Sequence, residues 1–353
     1  MKNFTALWLV SSLGCASGCA GHAVDLDRSV PAAGTVGTVD SGVPVETAPV
    51  RSALADFWAD DSRIYWNLPL NADHGSNYGC VFDQCASTTL RYGASDARPS
   101  IWMLPVGDDI LFSAPDDSAL RCPKTGCVGD PTPMPGTNLG SAASDASYLY
   151  WSAQDNIYRC PIANCGDIPE LVARRVDADN LHVQGDNVYW ASEGDTNAWI
   201  LSAPSDGSQK PSTIVARDAE GAPSIDPSGA QIQAFTLDSA RVYWVDTDSQ
   251  VRACSLRGCQ PGEPAVIPTD ADQKFGLVAD ATGFYWIAGG NVVRYCPSAG
   301  CKAGSAPKNL STAQALHFQL TPNYVYWSQN QPTDPNEVPL WLVYRTPKPN
   351  QNQ

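Results

Sequence analysis

Short segments of alternating apolar and polar residues run along most of the chain, and one pattern returns about every 40 residues. A Tyr-Trp pair marks it six times, at Tyr65-Trp66, Tyr150-Trp151, Tyr189-Trp190, Tyr243-Trp244, Tyr285-Trp286 and Tyr326-Trp327. Leu111-Phe112 holds the same place in a seventh unit. Eight residues before the pair, every unit has an apolar residue: Phe57, Met103, Ala142, Leu181, Phe235, Leu277 and Phe318. A period of two around this residue predicts a buried strand.

Each unit has room for four short strands. Strand 1 carries the apolar residue, a turn follows that has Asp60, Asp145, Asp238 or Asp280 in four units, and strand 2 is expected to end on the Tyr-Trp pair. Strand 3 follows, and a Pro-containing turn leads to strand 4, as in Glu170-Leu171-Val172. One such unit per repeat is typical of a propeller blade. We therefore predict an all-β, seven-bladed β-propeller with four-stranded antiparallel blades, forming a single domain over residues 41–349.

The ring of blades is expected to close through the N-terminal part of this domain. The last unit ends after strand 3 and has no strand 4 of its own. The segment Val43-Pro44-Val45-Glu46-Thr47 looks like the strand 4 segments of the other units. Placed beside the last strand 3, it would leave no unpaired strand edge.

Ten of the twelve cysteines share one spacing, Cys-x4-Cys, at the expected turn between strands 3 and 4. The pairs are Cys80/Cys85, Cys122/Cys127, Cys160/Cys165, Cys254/Cys259 and Cys296/Cys301. Blades 4 and 7 lack both members, as paired thiols require. We predict five local disulfides, which fits an exported protein. A zinc site would need two pairs brought together, and haem attachment would need a Cys-x-x-Cys-His motif, which is absent.

The N-terminal residues predict export. Lys2 precedes a short apolar run over 4–13, and Ala16-Ser17-Gly18-Cys19 is similar to the lipobox of bacterial lipoproteins. We assign residues 1–19 to a lipoprotein signal peptide with Cys19 as the lipidated residue; Cys15, or an ordinary cleaved signal, is the alternative. Residues 20–40 are expected to form a flexible tether. Because Ala20 is not Asp, the sorting rule of such lipoproteins points to the outer membrane.

The net charge of the chain argues against two kinds of binding partner. The formal net charge is −15. Nucleic-acid binding needs clusters of Lys and Arg, which the chain lacks, so we expect no nucleic-acid partner. The same charge argues against adhesion to an anionic membrane surface, so we expect membrane contact only through the N-terminal lipid.

The Tyr-Trp repeat resembles the YWTD-type propellers of lipoprotein-receptor ectodomains. It is more similar to the YW-repeat propellers of bacterial envelope lipoproteins, often grouped with TolB-like propellers. The resemblance covers roughly residues 41–347 and rests on the repeat; Tyr243-Trp244-Val245-Asp246 alone keeps the Asp of a YWTD unit. YWTD propellers have six blades, which leaves a six-bladed count open. The resemblance implies extracellular protein recognition and carries over no active-site residue.

Catalytic motifs are absent from the sequence. It contains no G-x-S-x-G, H-E-x-x-H or P-loop segment, and we expect neither an enzyme nor a bound cofactor. The alternative function is an envelope lyase or hydrolase with a metal in the propeller channel. His182 and His317 lie near strand 1 of their blades, which lines the channel, although no third ligand shares their position in the repeat.

Three expected strand 2–3 loops are longer than the rest, in blades 1, 4 and 7, and loops of propellers carry function more often than the scaffold does. They combine acids with aromatic groups, which suits a polar partner or a cation. The candidate binding residues are Asp73, His74, Tyr78, Glu193, Asp195, Trp199, Asp334 and Glu337. Trp199 has an alternative interpretation as a packing residue of strand 3, and long loops can also be tolerated insertions. We expect a monomeric binding protein of the cell envelope, whose partner is a protein or a polar ligand.

Overall fold

A computed structural model describes most of the repeat region, and all of its described residues belong to one compact unit, Pro31–Gln353. The described residues are 37–38, 44–51, 57–69, 75–92, 103–113, 119–127, 130–134, 140–165, 169–174, 176, 178–192, 198–216, 235–246, 249–259, 265–269, 274–289, 291–298, 300–301, 307–311, 315–331 and 340–349. The predicted signal peptide and most of the predicted tether lie outside them.

The chain forms seven antiparallel sheets arranged in a ring, which confirms the seven-bladed propeller. Blades 1, 2 and 3 follow one another along the chain. Blade 1 contains β3 (Phe57–Ala59), β4 (Arg63–Pro69), β5 (Gly75–Val81) and β6 (Leu90–Tyr92). Blade 2 contains β7 (Met103–Val106), β8 (Asp109–Ser113), β9 (Ala119–Pro123) and β10 (Thr132–Pro133). Blade 3 contains β11 (Ala142–Ser144), β12 (Tyr148–Ala153), β13 (Asn156–Pro161) and β14 (Glu170–Arg174).

Blades 4 to 6 repeat the same order. Blade 4 contains β15 (Ala178–Gln184), β16 (Asn187–Ser192), β17 (Ala198–Pro204) and β18 (Ser212–Ala216). Blade 5 contains β19 (Thr236–Leu237), β20 (Arg241–Val245), β21 (Val251–Ser255) and β22 (Ala265–Ile267). Blade 6 contains β23 (Lys274–Ala279), β24 (Gly283–Ala288), β25 (Val292–Pro297) and β26 (Lys308–Asn309). The described helices are α1 (Cys85–Thr88) and the 3₁₀ turns Phe82–Gln84 and Ile162–Asn164.

Blade 7 is closed by an N-terminal strand, as the sequence predicts. Its own strands are β27 (Ala315–Leu320), β28 (Tyr324–Gln331) and β29 (Leu340–Pro347). Outside β29 lies β2 (Pro44–Arg51), which pairs with it from Glu46 opposite Arg345 to Arg51 opposite Leu340. A further strand, β1 (Gly37–Thr38), pairs with the outer side of β2, so this sheet has five strands.

The hydrophobic core lies between blades, and the Tyr-Trp pair builds it. Successive residues of a strand point to opposite faces, so the Tyr of one blade and the Trp of the next meet at the same seam. Tyr150 thus shares a buried cluster with Trp190, and Tyr189 with Trp244. Seven such clusters cover the seven seams, and the cluster of Tyr326 and Trp66 joins blade 7 to blade 1.

Strand 2 differs from the prediction in one respect: it does not end on the Tyr-Trp pair. In blade 1 it continues to Pro69, in blade 3 to Ala153 and in blade 7 to Gln331. The pair therefore lies within the strand, where both aromatic rings are held between neighbouring sheets.

All five predicted disulfides are formed, and each closes the turn that follows strand 3. Their Cα–Cα distances run from 4.8 Å in the Cys80–Cys85 bridge to 5.2 Å in the Cys122–Cys127 bridge. Blade 7 needs no such turn, because its fourth strand comes from the N-terminal segment. In blade 4, Gly207 N donates to Pro204 O at 3.0 Å and closes the turn with a hydrogen bond.

Candidate functional site

The antiparallel order of the strands gives the propeller two faces. One carries the strand 2–3 turns and the connections from each strand 4 to the next strand 1; we call it the loop face. The other carries the strand 1–2 turns and the disulfide-closed strand 3–4 turns; we call it the disulfide face. The predicted binding residues belong to the strand 2–3 hairpins of blades 1, 4 and 7.

On the loop face, strands 2 and 3 stay paired over a longer stretch in two neighbouring blades than in the others; we call these the raised hairpins. The ladder continues three residues past Trp66, to Pro69 opposite Gly75, in blade 1. In blade 7 it continues four residues past Trp327, to Gln331 opposite Leu340. In the other blades it ends one or two residues past the aromatic position. At about 3.3 Å per residue, the paired strands of these two hairpins extend roughly 7 Å further than those of blades 2 and 6.

Buried polar side chains lie at the base of these hairpins. The residue after the aromatic position of strand 2 is polar and at most 7% exposed in four consecutive blades, 7, 1, 2 and 3: Ser328, Asn67, Ser113 and Ser152. In blade 1, Asn67 lies opposite a second buried amide, Asn77. Blades 4 to 6 have apolar residues at the same position, Ala191, Val245 and Ile287. The position is therefore polar in blades 7, 1, 2 and 3, and burying polar groups is costly unless they are hydrogen-bonded.

Most of the predicted binding residues lie outside the described part of the chain. These are Asp73, His74, Glu193, Asp195, Asp334 and Glu337. Trp199 lies in strand β17, but its side chain is not among those described. Their grouping on the loop face therefore stays a prediction.

Tyr78 is the predicted binding residue whose side chain the structure describes. Its ring stacks on Trp66, with 5.8 Å between the ring centroids. The same strand 2–strand 3 stack occurs between Trp151 and Tyr158 at 6.0 Å and between Trp327 and Tyr344 at 5.5 Å. The structure thus places Tyr78 in a packing pair of the repeat, beneath the blade 1 hairpin.

On the disulfide face, the Asp of the strand 1–2 turn forms a repeated hydrogen-bonded unit. Asp60 accepts hydrogen bonds from Ser62 N at 2.9 Å, Arg63 N at 2.8 Å and Tyr65 Oη at 3.0 Å. Asp145 and Asp238 do the same with Tyr150 and Tyr243. The sequence shows this unit as an Asp five residues before the Tyr, but it gives no sign that the two side chains bind each other.

Two of these carboxylates also bind a lysine of the following blade. Lys124 Nζ of blade 2 lies 2.8 Å from Asp60, and Lys348 of blade 7 pairs with Asp280 of blade 6. Burial raises the pKa of Asp60, but the hydrogen bonds from Lys124 and Ser62 outweigh burial and leave the pKa below its ordinary value. The pKa of Asp280 is lowered in the same way. These ion pairs join adjacent blades.

An open groove of about 630 Å³ lies on the disulfide face between blades 1 and 2. Its lining includes Asp60, Asp61, Asp109 and Lys124. Asp61 accepts a hydrogen bond from Asn323 Nδ2 at 2.7 Å, and Asp109 accepts one from Arg121 Nε at 2.8 Å. The carboxylates of Asp60, Asp61 and Asp109 are therefore engaged in holding neighbouring strands and blades together.

The two channel histidines lie on different blades. His182 is in β15 of blade 4, and His317 is in β27 of blade 7. The His182 ring packs on Phe235 at 4.8 Å, and its Nε2 has no hydrogen-bond partner. Desolvation lowers the pKa of His182 to about 4, against a hydrogen bond to the Phe235 backbone that raises it. Among the described residues, no group of three His, Cys, Asp or Glu side chains lies close enough to hold a metal ion.

The inner edges of the blades are tied together by side chains of strand 1. Ala59 N of blade 1 donates to Gln319 Oε1 of blade 7 at 3.0 Å. Leu181 N donates to Ser141 Oγ at 2.8 Å, and Ala279 N donates to Thr236 Oγ1 at 2.9 Å. Strand 1 is the inner edge of each sheet, so these bonds satisfy backbone groups that would otherwise lack a partner.

The Asp that completes the YWTD-like unit has a structural place in blade 5. Asp246 is 7% exposed, accepts a hydrogen bond from Gln250 N at 2.9 Å and pairs with Arg252 Nε at 2.6 Å. It closes the strand 2–3 turn of its blade.

Across the described residues, no helix has the length and apolar character needed to cross a membrane.

No family model matches the chain, and no curated protein matches it in sequence. Among solved structures, the computationally designed Ika8 protein is similar with a TM-score of 0.52 and 11% identity, over 84% of this chain and 97% of that one. Human WBSCR16 is similar with a TM-score of 0.52 and 8% identity, over 85% and 89%. BamB from Moraxella catarrhalis has a TM-score of 0.49 and 14% identity, over 82% and 84%, and supports no further inference. The first two establish a likeness of fold alone.

Proposed function

We propose that this protein is an exported, lipid-anchored binding propeller, and that the raised hairpins of blades 7 and 1 form the centre of its partner-binding face. The observation that supports this proposal is that the two longest strand 2–3 hairpins come from adjacent blades. Raised, neighbouring hairpins on a closed scaffold present a contiguous surface, and scaffold loops are where binding residues concentrate.

The chemistry of the hairpins favours a polar or cationic partner. The segments 70–74, 193–197 and 332–339 carry five acids, Asp73, Glu193, Asp195, Asp334 and Glu337, and no Lys or Arg. An acidic face steers basic groups of a protein partner towards it. The proposed partner is an envelope or extracellular protein, or a polar ligand, and the proposed action is binding without catalysis.

The proposed location is the outside of the cytoplasm. Five disulfides are consistent with folding in an oxidising compartment. The lipobox-like segment ending in Cys19 supports a lipid anchor, and Ala20 after it supports the outer membrane as its destination.

A pair of charge-matched variants tests the binding face. Asp73, His74, Asp195 and Asp334 are replaced together by Ala in one variant, which removes three acids from the loop face. Asp83, Asp130 and Asp186 are replaced by Ala in the control, which removes three exposed acids from the disulfide face. Both are immobilised, exposed to an envelope extract and compared with the unaltered protein by quantifying the proteins captured.

We expect the loop-face variant to lose a captured partner by about tenfold or more, because a few residues near the centre of an interface carry most of its affinity. The control variant should retain the partner. Equal capture by both variants, with thermal melts showing both folded, would exclude the proposed face.

A further inference from the structure

The disulfide-closed turn of a blade contacts the outer strand of the blade before it. In blade 5, Cys259 N donates to Ile214 O of blade 4 at 3.2 Å. In blade 6, Cys301 N donates to Pro268 O, just after the outer strand of blade 5, at 2.8 Å. In these two blades, the second cysteine of the pair is thus the residue whose backbone reaches across the seam.

A glycine before that cysteine allows the close approach. Gly258 and Gly300 have φ of +100° and +80°, which side-chain-bearing residues rarely adopt. A Cβ on Gly300 would lie 2.7 Å from Pro268 O. In blade 4, which has no bridge, Gly207 makes the same approach, and its Cβ would lie 2.7 Å from Leu171 O of blade 3.

We propose that the bridged turns of blades 5 and 6 are latches between blades: their disulfides stabilise the outer strand of the preceding blade. The outer strand of a sheet has an unpaired edge that is prone to opening. The turn of the next blade covers part of that edge. The bridge fastens this turn to strand 3 of its own blade, so the neighbouring edge is held through the turn.

Blade 3 has the same bridge without the latch. Asn164 stands where the latched turns have glycine, and the turn is a 3₁₀ turn, Ile162–Asn164. Ile162 N donates to Ser147 O within the blade. A small cavity of about 10 Å³ lies at this seam, lined by Met134 of blade 2 and by Cys160 and Cys165 of blade 3. This blade supplies a matched control.

The latch is sensitive to thiol–disulfide state. Each bridge forms when two cysteine thiols exchange with one external disulfide, giving the internal bridge and two external thiols. The proposed device therefore tightens the seams of blades 4–5 and 5–6 once the chain reaches an oxidising compartment.

Amide hydrogen exchange resolved by residue tests the latch. In the C254A/C259A variant, we expect exchange in β18 of blade 4 to become roughly tenfold faster, because a covering turn and its hydrogen bond are released. In the C160A/C165A control, exchange at Thr132 and Met134 of blade 2 should stay unchanged. Faster exchange confined to the strands of blade 5 in the first variant would overturn the proposal.

A variant that gains a bridge covers the case in which the loss variant fails to fold. Ala203→Cys with Ser208→Cys places a Cys-x4-Cys pair in the turn of blade 4, where Gly207 already approaches Leu171 and Val172 of blade 3. Once this pair is oxidised, exchange in β14 of blade 3 should slow by a similar factor. Slower exchange in β17 and β18 alone would contradict the latch, and a return to the original rate on reduction would support it.

Discussion

At the scale of single residues, the repeat uses a few side chains to perform the same tasks in several blades. The turn Asp binds two backbone N–H groups and the Tyr hydroxyl, the Tyr and Trp fill the two adjacent seams, and a Lys of the next blade neutralises Asp60 and Asp280. The glycine before the second cysteine controls how closely neighbouring blades approach.

Replacing glycine by alanine should have different costs in blades 5 and 6. Gly258→Ala should lower the free energy of unfolding by about 1 kcal/mol, because its positive φ is the main obstacle and the new Cβ would lie 3.6 Å from Thr213 O. Gly300→Ala should cost more than about 2 kcal/mol, because the 2.7 Å contact adds overpacking. Urea unfolding measures both. Equal losses in the free energy of unfolding would show that the structure around Gly300 shifts easily to make room for the new Cβ.

His182 should make stability depend on pH. Its folded pKa is about 4, below its ordinary value of 6.5, because burial disfavours the charged ring. Between these two pH values the ring therefore binds a proton in the unfolded chain but stays neutral in the folded chain. The free energy of unfolding should fall by up to about 3 kcal/mol as pH decreases from 6.5 to 4.

The His182→Phe variant isolates this effect, because it keeps an aromatic ring against Phe235 and removes the titration. Urea unfolding across that pH range should show a smaller slope for the variant. The carboxyl groups of Asp60, Asp145 and Asp280 have lowered pKa values, so their stabilisation is lost mainly at the acidic end. An unchanged slope would assign the pH dependence to other groups.

At the scale of elements, the strand β2 closes the ring of blades. It completes the fourth position of blade 7 with chain from before the first repeat, and it pairs with β29 over six residues. Asp61 of blade 1 also binds Asn323 of blade 7, and the Arg345 guanidinium lies 4.2 Å from the centre of the Phe82 ring. The seam between the first and last blades is therefore held by strand pairing, hydrogen bonds and a cation–π contact.

Deleting residues 41–50 should destabilise the propeller, since it exposes the edge of β29. We expect a fall in melting temperature of at least about 10 °C and a greater tendency to aggregate, because an open strand edge pairs with other chains. Deleting residues 22–34, within the predicted tether, serves as the control and should leave the melting temperature unchanged. Similar melts for both deletions would contradict the role of β2.

At the scale of the whole molecule, the ring distributes the core evenly. Each of the seven seams has its own buried cluster, so every blade is supported on both sides and none has a complete core alone. The large side chains at 2% exposure or less include Trp151, Trp190, Trp244, Trp286 and Trp327. Truncating one such Trp typically costs about 3–5 kcal/mol, because the seam cannot collapse around the cavity.

The anchor is a property of the whole chain and is tested in cells. Cys19→Ser should move the protein from the membrane fraction to the soluble envelope fraction, because a lipidated cysteine would be its membrane attachment. Cys15→Ser is the matched control and should leave the protein in the membrane fraction. If Cys15→Ser releases the protein and Cys19→Ser does not, the lipidated residue is Cys15.

The sequence alone was enough for the features that depend on local repetition. The period of the Tyr-Trp pair predicted seven blades, and the Cys-x4-Cys spacing predicted the five bridges. The lack of a fourth strand after Leu340–Pro347 predicted closure by the N-terminal segment. Each of these rests on contacts between residues close in the chain or on the rule that a sheet edge needs a partner, and both leave a visible pattern in the sequence.

Contacts between blades were decided by the tertiary structure. The pairing of Lys124 with Asp60, the extension of strand 2 past Trp66 and Trp327, and the approach of Gly300 to Pro268 join or reposition segments that the repeat pattern treats as separate. The stack of Tyr78 on Trp66 is a further contact that the structure shows and the repeat pattern does not. The physical reason is that periodicity reports which face of a strand is buried, whereas only the packed ring determines which neighbour buries it.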